Sequence, residues 1–306
     1  MNFIEWLKVI LLGIVEGITE WLPISSTGHL ILTDAIWPLQ QSDAFKEMFN
    51  VVIQLGAILA VVVLYWSKLW PFHRKRIPQR SWFAQQSTNG FVGGLQRFGD
   101  RYCCMDKIVM WLKIAVSCLP AMLIGLPLND WLDKHFYNPT VVALMLLLYG
   151  AGFLFVERYN RSRKPRVNSI ASLRWSDALL IGVFQVLALI PGTSRSGATI
   201  LGGILIGTSR EVAAEYTFFL AIPIMFGWGV VKAAKFMMEG LVMTQTEIMV
   251  LVVGIISAFI MSVVAIRFLM GYIKKNDFTA FGVYRIIVGI IVVAFFTVQG
   301  TGFIMQ

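Results

Sequence analysis

Long apolar runs separated by short polar loops make up most of this 306-residue chain. Six of the runs are long enough to cross a bilayer as a helix, which takes about 20 mostly apolar residues. They are Phe49–Trp66, Ile108–Leu128, Val141–Val156, Val212–Val231, Ile248–Met270 and Ala280–Val298. Two further apolar stretches, about 3–37 and 175–207, are each broken near the middle, and in the second neither half can cross alone. The pattern predicts an all-α polytopic membrane protein, a single integral membrane domain over 1–306 with six transmembrane helices and two re-entrant helical hairpins.

Both broken stretches contain a proline followed by hydroxyl residues. In the first, Ile4–Leu22 has a helical pattern that Pro23 should end, because proline cannot continue the hydrogen-bond ladder. Ser25 or Ser26 is then a good N-cap for a second short helix. In the second, Pro191–Thr199 interrupts an apolar segment in the same manner. Each break should therefore expose free backbone N–H groups beside hydroxyls, which favours anion binding.

The loops that carry the positive charge set the orientation of the spans. The basic loop at about 67–107 and the loop at 158–174 should both be cytoplasmic by the positive-inside rule. Counting spans from them places the two hairpins on opposite sides of the membrane. The hairpins also resemble each other in sequence, allowing a slip of one residue: Gly13, Glu16 and Pro23–Gly28 match Gly182, Gln185 and Pro191–Gly197. We therefore predict an inverted-topology repeat whose breaks meet at mid-membrane.

Composition and charge agree with this assignment. The chain is 57% hydrophobic and 14% charged, with a net charge of +9. The basic residues fall mostly in two loops between spans, so they indicate orientation and not a nucleic-acid partner. The N-terminal apolar run carries Glu5, Glu16 and Glu20, so we expect it to belong to the mature fold and not to a cleaved signal.

Two carboxylates in the first broken stretch are candidates for chemistry. Glu16 and Glu20 are four residues apart and should project from one helix face. Like charges that close must share a proton or bind a cation. Oxygen ligands suit a hard divalent cation, Mg²⁺ or Ca²⁺, although helix packing through protonated carboxyls is the alternative.

Arg195 lies between two serines inside the second break and is suited to a bidentate grip on phosphate. The alternative is that it only neutralises Glu16 or Glu20, and without substrate the two roles are compatible. His29 follows the first break, and Gln54 is a strongly polar residue within the first span. Further candidates for binding substrate are hydroxyl residues that could also simply cap helices: Ser25, Ser26, Thr27, Ser194, Ser196 and Thr199.

The two breaks resemble the motifs of the undecaprenyl-diphosphatase family, bacterial membrane enzymes also known as bacitracin-resistance proteins. The family's (E/Q)xxxE element corresponds to Glu16–Glu20, followed by Pro23–His29, and its PGxSRSxxT element to Pro191–Thr199. The resemblance implies six spans with two re-entrant hairpins in the bacterial plasma (inner) membrane, and often a homodimer. It also implies removal of the terminal phosphate from undecaprenyl diphosphate, a polyisoprenyl diphosphate lipid, with a divalent cation.

The resemblance also implies site residues. The catalytic positions are Glu16, Glu20, Ser26, His29 and Arg195, with Ser194 and Thr199 as phosphate contacts. Our hypothesis is that Ser26 attacks phosphorus, His29 takes its proton, the carboxylates hold the cation and Arg195 clamps the transferred group. Direct attack by His29 or by metal-bound water stays open. The loop from Lys68 to Lys107 is longer and more basic than the family leads us to expect, so its role is open too.

Two other classes of protein compete with the phosphatase. Inverted repeats with broken helices and buried carboxylates also describe cation-coupled transporters or a polyprenyl-phosphate flippase. Acid phosphatases of the lipid type combine Pro-Ser-Gly-His with Ser-Arg, but they need a second His and an Asp after the Ser-Arg. The other histidines here, His73 and His135, both precede Arg195, which argues against that class.

Overall fold

The computed structural model describes residues 3–72, 90, 99, 102–238 and 243–298. The helices within these residues are α1 (Phe3–Thr19), α2 (Ser26–Ile36), α3 (Asp43–Leu64), α4 (Trp66–Leu69), α5 (Met105–Phe136), α6 (Pro139–Asn160), α7 (Trp175–Val186), α8 (Arg195–Leu205), α9 (Arg210–Met238), α10 (Gln245–Tyr272) and α11 (Thr279–Val298). A 3₁₀ turn, Leu187–Leu189, follows α7. Only two isolated β-bridges occur in this described part of the chain, so the fold is all-α as predicted.

Six of these helices are long and apolar enough to cross a membrane: α3, α5, α6, α9, α10 and α11. They coincide with the six predicted spans, which confirms a multi-pass membrane protein. Most of the helices run past the predicted ends because residues of the flanking loops extend them, whereas α3 ends at Leu64, before its predicted end at Trp66. The largest extension is in α5, which continues to Phe136 and contains Pro120 and Pro127.

Both predicted breaks are present. The first helix ends at Thr19 and not at Leu22, because Pro23 disfavours helical backbone at the residue before it. Glu20 nevertheless donates its backbone N–H to the Glu16 carbonyl at 3.0 Å, so the two carboxylates keep helical spacing. In the second stretch α7 ends at Val186, and Ile190 leads into the break before α8.

The broken stretches are held against long helices by glycine contacts. A Cβ at Gly13 of α1 would lie 2.7 Å from the Gly254 carbonyl oxygen of α10, and one at Gly182 of α7 would lie 2.8 Å from the Ser117 Cα of α5. Any side chain at these positions would push the helices apart. Buried Trp21, which follows α1, packs edge-on against Phe218 of α9 at 5.3 Å, so the largest core cluster lies beside the first break.

Most of the predicted basic loop at 67–107 lies outside the described residues, as does His73. Its two ends are joined: Phe72 forms a bridge with Cys103, and Lys107 Nζ donates to the Trp70 carbonyl at 2.9 Å. The cytoplasmic position of the loop stays a prediction.

Candidate active site

The two helix breaks share one local geometry. Ser25 and Ser194 have φ of 75° and 71°, a left-handed conformation that is uncommon for serine. Each caps the helix that follows, because Ser25 Oγ accepts from the Gly28 N–H at 3.3 Å and Ser194 Oγ accepts from the Gly197 N–H at 3.1 Å. Strained backbone of this kind is concentrated at functional sites. Of the two N-caps considered for the first break, the structure uses Ser25.

A chain of polar contacts joins the two breaks through their side chains. Arg195 Nη2 donates to Glu20 Oε1 at 2.8 Å, and the Ser26 hydroxyl donates to Glu20 Oε2 at 2.8 Å. Arg195 Nη1 also donates to the Thr217 carbonyl at 3.2 Å, and its guanidinium lies 5.8 Å from the Trp21 ring centroid. The arginine and glutamate side chains are only 12% and 9% exposed. Glu20 therefore links Ser26 of its own break to Arg195 of the other break, 175 residues away in the sequence.

Two of the residues predicted to bind substrate use their hydroxyls in hydrogen bonds within the protein. Ser196 donates to the Glu20 carbonyl at 3.0 Å and is buried. Thr199 is buried as well; its hydroxyl donates to the Arg195 carbonyl at 2.8 Å and accepts from the Thr217 hydroxyl at 2.8 Å. These hydroxyls hold the backbone of the two breaks together.

Glu16 is fully buried, and within the described residues neither of its carboxylate oxygens has a hydrogen-bond partner. Glu20, Arg195 and Gln54 are the polar side chains close enough to act on its charge. A buried carboxylate without a partner is costly in the membrane, so this arrangement calls for a proton or a cation. Within the described part of the chain, no three His, Cys, Asp or Glu residues cluster as metal ligands, so a cation here would need other oxygen ligands as well.

His29 lies at the first break, but its contacts differ from our hypothesis. Its Nδ1 lies 2.7 Å from the Ser25 carbonyl oxygen, and its Nε2 lies 2.8 Å from the Tyr284 hydroxyl. A carbonyl can only accept, so Nδ1 carries the proton and a neutral ring presents Nε2 as the acceptor. Ser26 donates to Glu20 and not to His29, which makes Glu20 the nearest base to the serine.

Arg285 of α11 is a part of the site that our sequence reasoning missed. It is fully buried and donates from Nη1 to the Pro23 carbonyl at 3.1 Å, and from Nη2 to the carbonyls of Gly192 and Thr193 at 2.9 Å each. One guanidinium therefore holds the backbone of both breaks. A signal was present, since Arg285 is the only charged residue in the predicted span Ala280–Val298.

Burial divides the predicted site residues into two groups. Glu16, Glu20, Ser25, Ser196 and Thr199 are buried, whereas Ser26, Thr27, His29, Gln54, Ser194 and Arg195 are partly accessible. The second group includes the predicted nucleophiles, the arginine and the free N-terminal turn of α2. These are the groups that a substrate can reach.

Comparison with known proteins gives one consistent result. The family model described as "Bacitracin resistance protein BacA" matches residues 9–291. The chain is similar to proteins named "Undecaprenyl-diphosphatase": 52% identical to that of Acetivibrio thermocellus, covering 96% of this chain and 98% of the relative, and 53% identical to that of Desulfitobacterium hafniense, covering 98% and 99%. It is also 51% identical to that of Enterococcus faecalis, covering 95% and 97%. The match spans both helix breaks and nearly the whole length, and the chain belongs to the bacitracin resistance protein BacA family.

Proposed function

We propose that this chain hydrolyses undecaprenyl diphosphate to undecaprenyl phosphate and inorganic phosphate, recycling the lipid carrier for cell-wall synthesis and conferring bacitracin resistance. The relatives that share about half of its residues over nearly the full length are named for this activity. The structural observation that supports it is the chain of contacts from Arg195 through Glu20 to Ser26. In this chain a guanidinium, a carboxylate and a hydroxyl lie together at the two helix breaks, as a cation, a base and a nucleophile would have to.

The substrate's two parts match two parts of the molecule. Its apolar tail suits the lipid-facing surfaces of six membrane-spanning helices. Its diphosphate needs cationic and N–H donors, which Arg195 and the first turns of α2 and α8 supply. Donors that are already held in place by the fold stabilise charge without reorganisation during the reaction.

The geometry favours Ser26 as the attacking group. Its Oγ would form a bond to the terminal phosphorus while the bond to the bridging oxygen breaks, so that undecaprenyl phosphate leaves. The serine proton would pass along the existing 2.8 Å hydrogen bond to Glu20 Oε2. Water would then attack the phosphoserine, release inorganic phosphate and return a proton to Oγ. Arg195 would bind the equatorial oxygens, where negative charge is spread in the transition state.

His29 takes a different role in this scheme. His29 donates its Nδ1–H to the Ser25 carbonyl, so Nε2 is the basic nitrogen of the ring. The Tyr284 hydroxyl lies 2.8 Å from Nε2. The rings of His29 and Tyr284 are nearly parallel, with an interplanar angle of 2°, and Tyr284 is 42% exposed. We infer that Tyr284 orients the imidazole, and that Nε2 takes a proton from the water of the second step through the Tyr284 hydroxyl, which donates to it. Direct attack by His29 or by water remains the alternative to Ser26.

The residues present fit a hard divalent cation. Glu16 has two buried carboxylate oxygens without partners among the described residues, and the Gln54 amide lies nearby. Mg²⁺ is usually bound through one or two carboxylates together with waters and substrate phosphates, whereas Ca²⁺ takes more oxygen ligands. Glu16 and Glu20 would hold the ion, which would supply positive charge for the diphosphate. Arg195, which pairs with Glu20 in this structure, would bind the substrate.

We also propose the finer topology predicted from the sequence. The halves α2, α7 and α8 have 11, 12 and 11 residues and are too short to span, which supports two re-entrant hairpins. Gly13, Glu16, Ser25 and Gly28 correspond at a constant offset to Gly182, Gln185, Ser194 and Gly197, which supports an inverted repeat. Placement in the bacterial plasma membrane follows from the proposed activity. The homodimer stays a prediction.

One assay tests the proposal. The purified chain in detergent should release inorganic phosphate from undecaprenyl diphosphate, and a shorter polyprenyl diphosphate should be compared with it. Activity should fall with chelator and return with added Mg²⁺ or Ca²⁺. Translocation of a polyprenyl phosphate without phosphate release would instead indicate the transporter or flippase.

A further inference from the structure

A second candidate site lies where α9 begins and α10 ends. It is a pocket of about 440 Å³ that shares no residue with the helix breaks. The polar residues in its lining are Arg210, Tyr272, Lys274, Lys275, Asn276 and Asp277. Three of them are cations, although two acidic side chains lie on or beside the lining. The proposed hydrolysis does not use any of these residues.

The pocket is preformed because Glu157 of α6 fixes its wall. The Glu157 side chain is buried and accepts from Arg210 Nε at 3.0 Å and from the Phe278 backbone N–H at 3.0 Å. The turn after α10 is closed by Asn276, whose backbone N–H and side-chain amide both donate to the Tyr272 carbonyl, at 2.9 and 3.1 Å. The concave shape therefore does not depend on a ligand.

The pocket and its wall carry more positive than negative charge. Glu157 neutralises Arg210, and the Asp277 carboxylate accepts from the Thr279 backbone N–H at 3.0 Å, at the start of α11. Lys274 and Lys275 are exposed, and neither has an ion-pair partner within the described residues. Counting Glu157 and Asp277 against the three cations, the pocket keeps a net positive charge.

The pocket lies at the level of the membrane surface. Tyr272 is the last residue of the span α10, and Thr279 is the first residue of the span α11. Tyrosine is typical of the membrane–water interface, and basic pockets between spans bind lipid headgroups there. We propose that this pocket binds a phosphate group, carried by the headgroup of an anionic phospholipid. Inorganic phosphate dissolved in water has the same chemistry and is the other ligand that the pocket could take.

The test measures binding of a fluorescent phosphatidylglycerol to the full chain in detergent, with saturating farnesyl phosphate present to fill the proposed active site. The double variant Lys274→Gln/Lys275→Gln should bind the probe about thirtyfold more weakly, since each basic residue near a membrane surface contributes about 1 kcal/mol to binding anionic lipid. Both lysines are exposed, so the variant should fold and keep its rate of phosphate release.

The matched control is Arg161→Gln/Lys164→Gln, which removes the same charge from exposed positions just after α6. It should bind the probe as the parent does. Equal weakening in both double variants, or no weakening in the lysine pair, would overturn the proposal. Competition separates the sources: displacement by unlabelled phosphatidylglycerol but not by phosphatidylcholine identifies the anionic lipid, and displacement by inorganic phosphate identifies the free anion. Equal displacement by both lipids without an effect of phosphate would refute an anion site.

Discussion

Replacing Arg285 by lysine tests whether one guanidinium holds the two helix breaks in register. Its Nη1 reaches the Pro23 carbonyl of the first break, while its Nη2 reaches the Gly192 and Thr193 carbonyls of the second. A lysine keeps the charge but has a single nitrogen, which cannot occupy both ends of the fork. We expect Arg285→Lys to keep the contacts to one break and to lose those to the other.

The structure sets the size of the effect. Losing the bond to Pro23 removes one charge-assisted hydrogen bond and leaves a buried carbonyl without a partner, which typically costs about 1.5 to 3 kcal/mol of stability. The effect on the activation free energy should be of similar size, since a 10²-fold loss of rate is about 2.7 kcal/mol. A misplacement of about 1 Å between Ser26 and Arg195, which lie on different breaks, can lower the rate on the order of 10²-fold.

The assay is single-turnover phosphate release from undecaprenyl diphosphate, measured together with thermal unfolding in detergent. Arg267→Lys is a matched control, because Arg267 is exposed on the span α10. It should change neither quantity. A rate for Arg285→Lys close to that of the parent would refute the positioning role. So would a loss of rate fully explained by the unfolded fraction at the assay temperature.

Four further predictions concern the site itself. Arg195→Lys should lose most turnover although the charge is kept, because a point charge cannot grip phosphate bidentately; near-normal turnover would reduce Arg195 to a counter-ion. Glu20→Gln should lower turnover and the apparent affinity for the divalent cation together, and full activity of the parent in excess chelator would exclude the metal role. Ser26→Ala should abolish turnover while diphosphate still binds. His29→Ala should keep a residual rate about 10² to 10⁴-fold below that of the parent. The opposite pattern would make His29, or a water it activates, the attacking group. Tyr284→Phe removes the hydroxyl on Nε2 and should lower kcat on the order of tenfold with KM unchanged, and a change in KM alone would contradict an orienting role.

The architecture could be predicted because its determinants are local. A span is recognised from about 20 consecutive apolar residues, and all six predicted spans are present in the structure. The breaks were equally visible, since Pro23 and Pro191 are followed by residues that cap helices. The helix ends were predicted less accurately. Helix α1 is shorter than its apolar run and α5 is longer, because the last turns of a helix depend on neighbouring residues outside the run.

The contacts of the site were decided by the tertiary structure. The sequence could place Ser26 and His29 one helical turn apart, but it could not predict their partners. In the structure Ser26 donates to Glu20, and His29 contacts the Ser25 carbonyl and the Tyr284 hydroxyl. The role of Arg285 likewise depends on carbonyls from segments that are far apart in the chain. Helical periodicity specifies which residues share a face, because it follows from backbone geometry alone. Which groups meet across helices depends on the packing of the whole bundle, and here close approaches at Gly13 and Gly182 set the positions of the two broken stretches.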